Sequence, residues 1–356
     1  LFIGYKQQAF LLTLVYKIGK EALICTKMLT LCLVYAIGYR LLATGFFTLL
    51  RIYIADSPNH HLLIHHFINM SYSKLILSAA LTGAATSRLN CPYIPYTPVE
   101  IAEEAKRAVD AGASIVHIHA REDDGIPSWR TEVFEQIQEE VRKRCPDVII
   151  NYSTGAIGLS VADRIKHLPV VKPDMAAFNM GSMNYAIFSE KAKQFIWNGV
   201  FENSFDTMIE VVKTMSENNI TPEMECFDTG HIRNAEPLRK MGLLPANACY
   251  SLVMGVLGGI PATTENLMHQ ISQVPKDAFW QVIAISRKQW QMAAVACTMG
   301  GNFRVGLEDN FYLPNNQMAK SNGECVEWGV KLANMMGREV ATIAETRQML
   351  HIPFVK

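Results

Sequence analysis

From Met70 onward, short runs of β-branched and apolar residues alternate with longer segments in which apolar positions recur at helical spacing. The pattern predicts strands over 75–80, 114–119, 148–152, 174–178, 223–227, 248–254, 279–285 and 302–307. A first helix opens at Thr97, with Pro98 at its first position and Glu100 completing a capping box. Ile101, Ala105, Ala108 and Val109 supply its apolar face, and Gly112 stops it. Further helices are expected over 131–144, 161–168, 205–217, 235–241, 265–274 and 287–298, with 323–336 and 342–350 closing the chain. Eight strands alternating with helices over 70–356 suit a single α/β domain, a (β/α)8 TIM barrel. An open doubly wound sheet is the structural alternative, but no GxGxxG follows the first strand.

Residues 1–69 do not follow this pattern. They begin at Leu1 without an initiator Met and carry apolar clusters at 28–37 and 41–54, broken by Arg40 and Arg51. An apolar helix of roughly 20 residues can span a bilayer. Arg40 would be costly in the middle of such a span, and the charged, apolar and small-residue order of a signal peptide is missing. The expectation is a catalytic barrel over 70–356, with 1–69 as upstream sequence or an appendage outside the fold. A membrane anchor is the alternative.

Composition excludes more than it selects. The 356 residues are 49% hydrophobic and 19% charged, with 33 basic and 33 acidic side chains, so charge makes no case for nucleic acid or a strongly acidic partner. Eight cysteines are scattered without CxxC spacing, which suits a reducing cytoplasm.

In a barrel of this kind the C-terminal strand ends carry the chemistry. They supply His117, His119 and Arg121 on the second strand, then Ser153, Thr154 and Gly155 on the third. Asn179 and Asn184 follow the fourth, Glu223 and Glu225 lie on the fifth with Asp228 and His231 after it, and Arg304, Glu308 and Asp309 end the eighth. Gly255, Gly258 and Gly259 after the sixth strand offer backbone N–H groups to an anionic group. His117 and His119, at i and i+2 in an apolar run, share one face of a strand. Buried histidines satisfied by carbonyls are the plain reading of that pair.

Closing the barrel sets the first, second and eighth strands side by side, so His117, His119 and Glu308 can meet across its mouth. Two imidazoles and a carboxylate form a catalytic zinc set with an open position. The same set fits iron(II), but nothing else in the chain suggests oxygen chemistry. A regular eighth strand would put Arg304, Gly306 and Glu308 on one face, with Arg304 one layer below the ligand. There it can stabilise an enolate or oxyanion, with Asp309 orienting it or handling a proton; a structural ion pair is the alternative.

These residues resemble a known family. The runs 75–83 (LILSAALTG), 117–125 (HIHAREDDG), 153–155 (STG), 222–225 (PEME) and 304–310 (RVGLEDN) are similar, in order, to the β-keto acid cleavage enzymes, typified by the 3-keto-5-aminohexanoate cleavage enzyme of lysine fermentation. The resemblance runs from about Lys74 to the C-terminus. It implies a (β/α)8 barrel, usually tetrameric, that joins a β-keto acid to acetyl-CoA to give acetoacetate and a new acyl-CoA. It further implies that His117, His119 and Glu308 hold Zn2+, and that Ser153, Glu225, Arg304 and Asp309 occupy catalytic positions. Two positions depart from the lysine-pathway pattern. Ala85 stands where a glutamate holds the substrate amine, and Ala177 where a threonine is expected. The core chemistry is therefore expected to stay while the substrate side chain changes, to dehydrocarnitine against Trp129, Phe178 or Tyr185, or to a plain apolar β-keto acid. A zinc hydrolase or a metal-dependent aldolase would use the same ligands without coenzyme A.

Overall fold

The computed structural model describes residues 73–354, so the expectation for residues 1–69 lies outside the described residues. Eight parallel strands close into a barrel: β1 (Leu77–Ala80), β2 (Ile115–Ile118), β3 (Ile149–Ser153), β4 (Met175–Asn179), β7 (Thr221–Cys226), β8 (Cys249–Met254), β9 (Trp280–Ala284) and β10 (Asn302–Val305). Strand β1 pairs with both β2 and β10, which closes the ring and brings the histidine strand within one strand of Arg304. The expected barrel is present.

Helices α1 (Pro98–Ala111) and α2 (Thr131–Arg144) follow the first two strands; α3 (Val161–Ile165) and α4 (Leu168–Val171) together fill the place of the third helix. After them come α5 (Phe205–Glu217), α6 (Thr229–Arg233), α7 (Ala235–Lys240), α8 (Thr264–Gln273), α9 (Gln289–Thr298), α10 (Asn322–Met335) and α11 (Ile343–Met349). Helix α1 starts as its sequence requires: the Thr97 hydroxyl accepts from the Glu100 N–H, and the Glu100 carboxylate caps the Thr97 N–H. Its last turn closes on Gly112 at φ 119°, a conformation that favours glycine.

Strand parity sorts the interior. Val116, Ile150, Phe178, Met224 and Leu252 face the helices and join the main apolar core. Their inward neighbours form layers: Ile76, Ile115, Ile149, Met175 and Cys249 seal the bottom, where Leu350 and Ile352 pack against them. Above that plug the inward side chains turn polar, with Ser78, His117, Asn151, Glu223, Ser251 and Gln281 all buried. A TIM barrel interior is filled by such layers of side chains, and burying polar groups in the middle one is tolerated only if they bond to each other.

An antiparallel hairpin, β5 (Met183–Ser189) and β6 (Gln194–Phe201), stands between β4 and α5. The sequence pattern predicts no strand there. Its apolar residues are spread over both faces, so the alternation that marks a half-buried strand is missing. Phe195, Ile196, Trp197 and Val200 are exposed, while Met183 and Phe201 at its base pack on Phe227, Val253 and Ile283 over the barrel mouth. Among the described residues no helix is long and apolar enough to cross a membrane. The six described cysteines are free and buried; Cys25 and Cys32 lie outside the described residues.

Candidate active site

The C-terminal ends of β2 and β10 bring three donors together. His117 Nε2 lies 3.6 Å and His119 Nε2 3.5 Å from Glu308 Oε1. One donor atom from each residue lies within 4.8 Å of the others. The bonds that hold the His119 backbone and the Glu308 side chain come from the neighbouring strand end. Thr82 Oγ1 accepts from the His119 N–H and donates to the His119 carbonyl, both at 2.9 Å. The Gly83 N–H donates to Glu308 Oε2 at 3.1 Å, leaving Oε1 turned to the imidazoles. Arg121 holds that loop and not a ligand: its guanidinium donates to the carbonyls of Gly83, Thr86 and Gly125.

The expectation that β10 runs regularly to Glu308 is corrected. The strand ends at Val305, and the chain turns through Gly306 at φ 138°. A Cβ at Gly306 would lie 2.2 Å from the Ala80 carbonyl oxygen, so the turn presses directly on β1. Three bonds fix the segment beyond the turn: the Leu307 N–H donates to Asn322 Oδ1 at 2.9 Å, Glu308 N–H to the Ala80 carbonyl at 3.2 Å, and Ser286 N–H to the Asp309 carbonyl at 2.7 Å. The turn sets Glu308 and Asp309 on either side of Arg304.

Arg304 is buried, and its charge serves three carboxylates. Nε donates to Asp309 Oδ2 at 2.9 Å and Nη2 to Asp309 Oδ1 at 2.8 Å, a bidentate pair. Nη2 also reaches Glu308 Oε1 at 3.1 Å, and Nη1 reaches Glu225 Oε1 at 3.4 Å. Asn179 Nδ2 donates to Glu225 Oε2 at 3.1 Å. Burial raises Asp309 to about 6 and Glu225 to about 8, in both cases against the pull of Arg304. Burial pushes Glu308 up as well, but His117, His119 and Arg304 together draw it far below the carboxylate range. Burial lowers His117 well below the usual imidazole value against the pull of Glu308, whereas the carboxylates around Arg304 hold its guanidinium charged.

Ser153 lies at the mouth end of β3, where its Oγ accepts from the Gly155 N–H at 3.2 Å. A Cβ at Gly155 would meet Asn179 Oδ1 at 3.0 Å and Phe201 at 3.3 Å, so these groups crowd one corner of the site. Gly258 and Gly259 are explained by packing. At Gly258 a Cβ would fall 1.8 Å from the Asn184 carbonyl oxygen, and at Gly259 2.9 Å from that of Phe227. The Gly259 N–H is already donated to Val256 at 3.0 Å. His231 is likewise occupied, its Nδ1 accepting from the Phe227 N–H at 3.3 Å.

Of the three aromatic candidates, Phe178 points outward into the helix-facing core and is corrected as a pocket wall. Trp129 is half-buried. Tyr185, on the hairpin, is the aromatic brought to the site: burial and the charges of Glu308, Glu225 and Asp309 push its phenol up to about 12. The layer beneath the donors, Asn151, Ser251 and Gln281, is not among the residues that the strand ends predict. Its signal is present in the sequence as single polar residues interrupting apolar strands at every second position.

A closed parallel barrel with two imidazoles, a carboxylate and a buried arginine–aspartate pair at the C-terminal strand ends is an enzyme architecture of the (β/α)8 class. Comparison with known proteins narrows the class. The family model of the beta-keto acid cleavage enzymes matches residues 74–352, and the chain belongs to that family. It is 41% identical over 281 residues to the 3-keto-5-aminohexanoate cleavage enzyme of Acetoanaerobium sticklandii, covering 78% of this chain and 98% of that protein. It is 32% identical over 298 residues to the 3,5-dioxohexanoate:acetyl-CoA acetone transferase of Paraburkholderia graminis, covering 78% and 96%. Among solved structures, apo ObcA superposes with a TM-score of 0.62 at 20% identity, over 73% of this chain and 66% of that one, a likeness of fold.

Proposed function

We propose that this enzyme joins a β-keto acid to acetyl-CoA, releasing acetoacetate and a new acyl-CoA, with Zn2+ held by His117, His119 and Glu308. The single observation that carries the reading is the convergence of those donors beside Arg304 and Asp309. The residues fit a metal. Both ring nitrogens of the buried His117 lack a hydrogen-bond partner, and two neutral imidazoles with one carboxylate are a donor set that zinc accepts. When bound, zinc supplies Lewis-acid polarisation of the ketone and carboxylate oxygens of the β-keto acid.

The rest of the chemistry falls to side chains. Asp309, raised toward neutral pH, is suited to take a proton from the carbon between the ketone and the carboxylate, and Arg304 faces the charge that develops on the enolate oxygen. The carbanion carbon attacks the thioester carbonyl of acetyl-CoA and CoA thiolate leaves. Thiolate then adds to the former ketone, the carbon–carbon bond breaks in the retro-Claisen sense, and Asp309 returns its proton to the acetoacetate carbon. Atoms balance with no oxidant or further reactant. Glu225 and Ser153 are assigned to the substrate: the carboxyl of Glu225 is held protonated at neutral pH and can donate, and the Ser153 hydroxyl lies in the same corner of the mouth.

The substrate side chain is assigned to an apolar or quaternary-ammonium group. Ala85 and Ala177 offer no charge for a primary amine, whereas Tyr185, with Phe201 against it, offers aromatic surface. Coenzyme A is assigned to the 255–259 loop through its N–H groups other than those of Gly255 and Gly259, which already donate to the Ile260 and Val256 carbonyls. A homo-oligomer, with the tetramer as the specific form, is supported by the exposed apolar hairpin residues Phe195, Ile196, Trp197 and Val200. Free buried thiols fit a cytoplasmic setting.

The test is an acetoacetate assay with acetyl-CoA and a panel of β-keto acids, with and without chelator. Chelator-sensitive acetoacetate that requires acetyl-CoA is the expected result. Turnover of the panel without coenzyme A would replace the reading with a metal-dependent hydrolase or aldolase.

A further inference from the structure

The layer below the donors contains a carboxylate that the proposed reaction does not use. Glu223 is fully buried on β7, two residues before Glu225 and so on the same inward face, one layer deeper. Its Oε1 accepts from Ser251 Oγ at 2.5 Å and from Gln281 Nε2 at 2.6 Å. Its Oε2 accepts from Asn151 Nδ2. Gln281 is itself fixed, taking a hydrogen bond from Ser78 Oγ at 2.9 Å and giving one to Ser251 Oγ at 3.0 Å. Side chains from β1, β3, β8 and β9 thus hold one carboxylate in one orientation. A buried carboxylate on three donors is poised as an acceptor for one more hydrogen, and Oε2, with a single bond, has the spare lone pair.

Facing that oxygen is His117. Its Nδ1 lies 3.8 Å from Glu223 Oε2, while its Nε2 points to Glu308. Both nitrogens are buried and without a hydrogen-bond partner. Neutral imidazole carries one proton. Placed on Nε2, that proton would remove the lone pair that a metal needs. Placed on Nδ1, it requires an acceptor, because an unmet buried donor costs about 1–3 kcal/mol.

We infer that Glu223 is the positioning residue for His117: Oε2 accepts the Nδ1 proton, which fixes the tautomer and presents the Nε2 lone pair to the metal. The inference rests on the proposed metal site, and it is separable from it. The neighbouring acceptor is Asn151 Oδ1, which is also unpartnered and lies on the residue opposite His117 in the β2–β3 register. Glu223 is favoured because a carboxylate partner raises the basicity of a ligating imidazole more than an amide does.

The test measures Co2+ and Zn2+ binding to metal-stripped full-length protein, by competition with a chromophoric chelator and by the visible Co2+ spectrum. Wild type, Glu223→Gln, Glu223→Asp and Ser251→Ala are compared. Glu223→Gln is expected to weaken binding by about 10–100-fold and to change the Co2+ spectrum, as loss of a histidine's carboxylate partner does. Glu223→Asp, which keeps the charge and shortens the reach, is expected to fall between it and wild type. Ser251→Ala, which removes one donor to Oε1 but leaves the carboxylate, is expected to weaken binding less than Glu223→Gln does. Equal affinity and an identical spectrum in Glu223→Gln would overturn the inference. No metal binding by wild type would overturn the metal site itself, a failure visible before any variant is made.

A second measurement reads the tautomer directly. The 15N imidazole resonances of metal-stripped wild type, with His117 assigned by their loss in His117→Ala, are expected to show a proton on Nδ1. A proton on Nε2 would overturn the inference, and an Nδ1 proton whose shift moves in Asn151→Asp but not in Glu223→Asp would move the role to Asn151.

Discussion

Replacing Arg304 with alanine separates a structural ion pair from a catalytic one. In the native site one guanidinium serves Asp309 at 2.9 and 2.8 Å, Glu308 at 3.1 Å and Glu225 at 3.4 Å, all inside the barrel. Removing one partner of a buried pair costs about 3–5 kcal/mol, chiefly through the charge left behind. A domain's whole stability is about 5–15 kcal/mol, so the variant should fold with a clearly lowered denaturation midpoint. Turnover should fall further than instability explains. Loss of a preorganised donor to a developing oxyanion costs about 10²–10³-fold in rate, or about 2.7–4 kcal/mol of barrier. Adding Asp309→Asn to Arg304→Ala removes one of the stranded carboxylates and should restore part of the stability but none of the rate. Acetoacetate formation, urea titration and metal content on the three proteins give the answer. Turnover of Arg304→Ala within about tenfold of wild type, equivalent to about 1.4 kcal/mol, would refute the enolate role. Recovery of rate together with stability in the double variant would reduce the pair to a structural one.

The same geometry sets other outcomes. Glu308→Gln should lower metal content and acetoacetate formation together, because it removes the one anionic donor; unchanged zinc by elemental analysis would dismiss Glu308 as a ligand. Glu225 has its folded carboxyl raised to about 8 from an ordinary value of 4.5, so the folded state binds the extra proton and stability should fall as pH rises between those values. Glu225→Gln should flatten that slope in urea melts of metal-stripped protein, and an unaltered slope would contradict the assignment. Gly306→Ala places a Cβ 2.2 Å from the Ala80 carbonyl oxygen at φ 138°. Left-handed strain alone costs about 1–3 kcal/mol, so a lower melting temperature and weaker metal binding are expected, because the turn that carries Glu308 must move. Thr97→Ala removes the cap of α1, whose side chain bonds only the first turn of that helix, and should cost about 1 kcal/mol with turnover unchanged.

The barrel and most of its mouth are legible in the local patterns of the chain. Period-two apolar runs separated by capped helices leave few topologies open, and once β1 lies between β2 and β10, His117, His119 and the end of β10 must be neighbours. Local signals of this kind are legible because they depend on residues a few positions apart: Thr97 with Glu100, or His117 with His119. The features that arise only on folding depend on residues far apart in the chain. Glu308 meets the histidines through a turn at Gly306, where β10 has already ended and the backbone lies so close to Ala80 that no side chain fits. Gly258 reads in sequence as an exposed N–H but in the fold as the only residue that fits beside the Asn184 carbonyl. Phe178, promising as an aromatic wall, is turned outward by strand parity, and Tyr185 arrives instead on a hairpin whose strands lack clear alternation. Glu223 gains its place only when Asn151, Ser251 and Gln281, drawn from three other strands, close around it. A buried charge is tolerated only where distant donors converge, and that convergence is a property of the closed barrel and of no single strand.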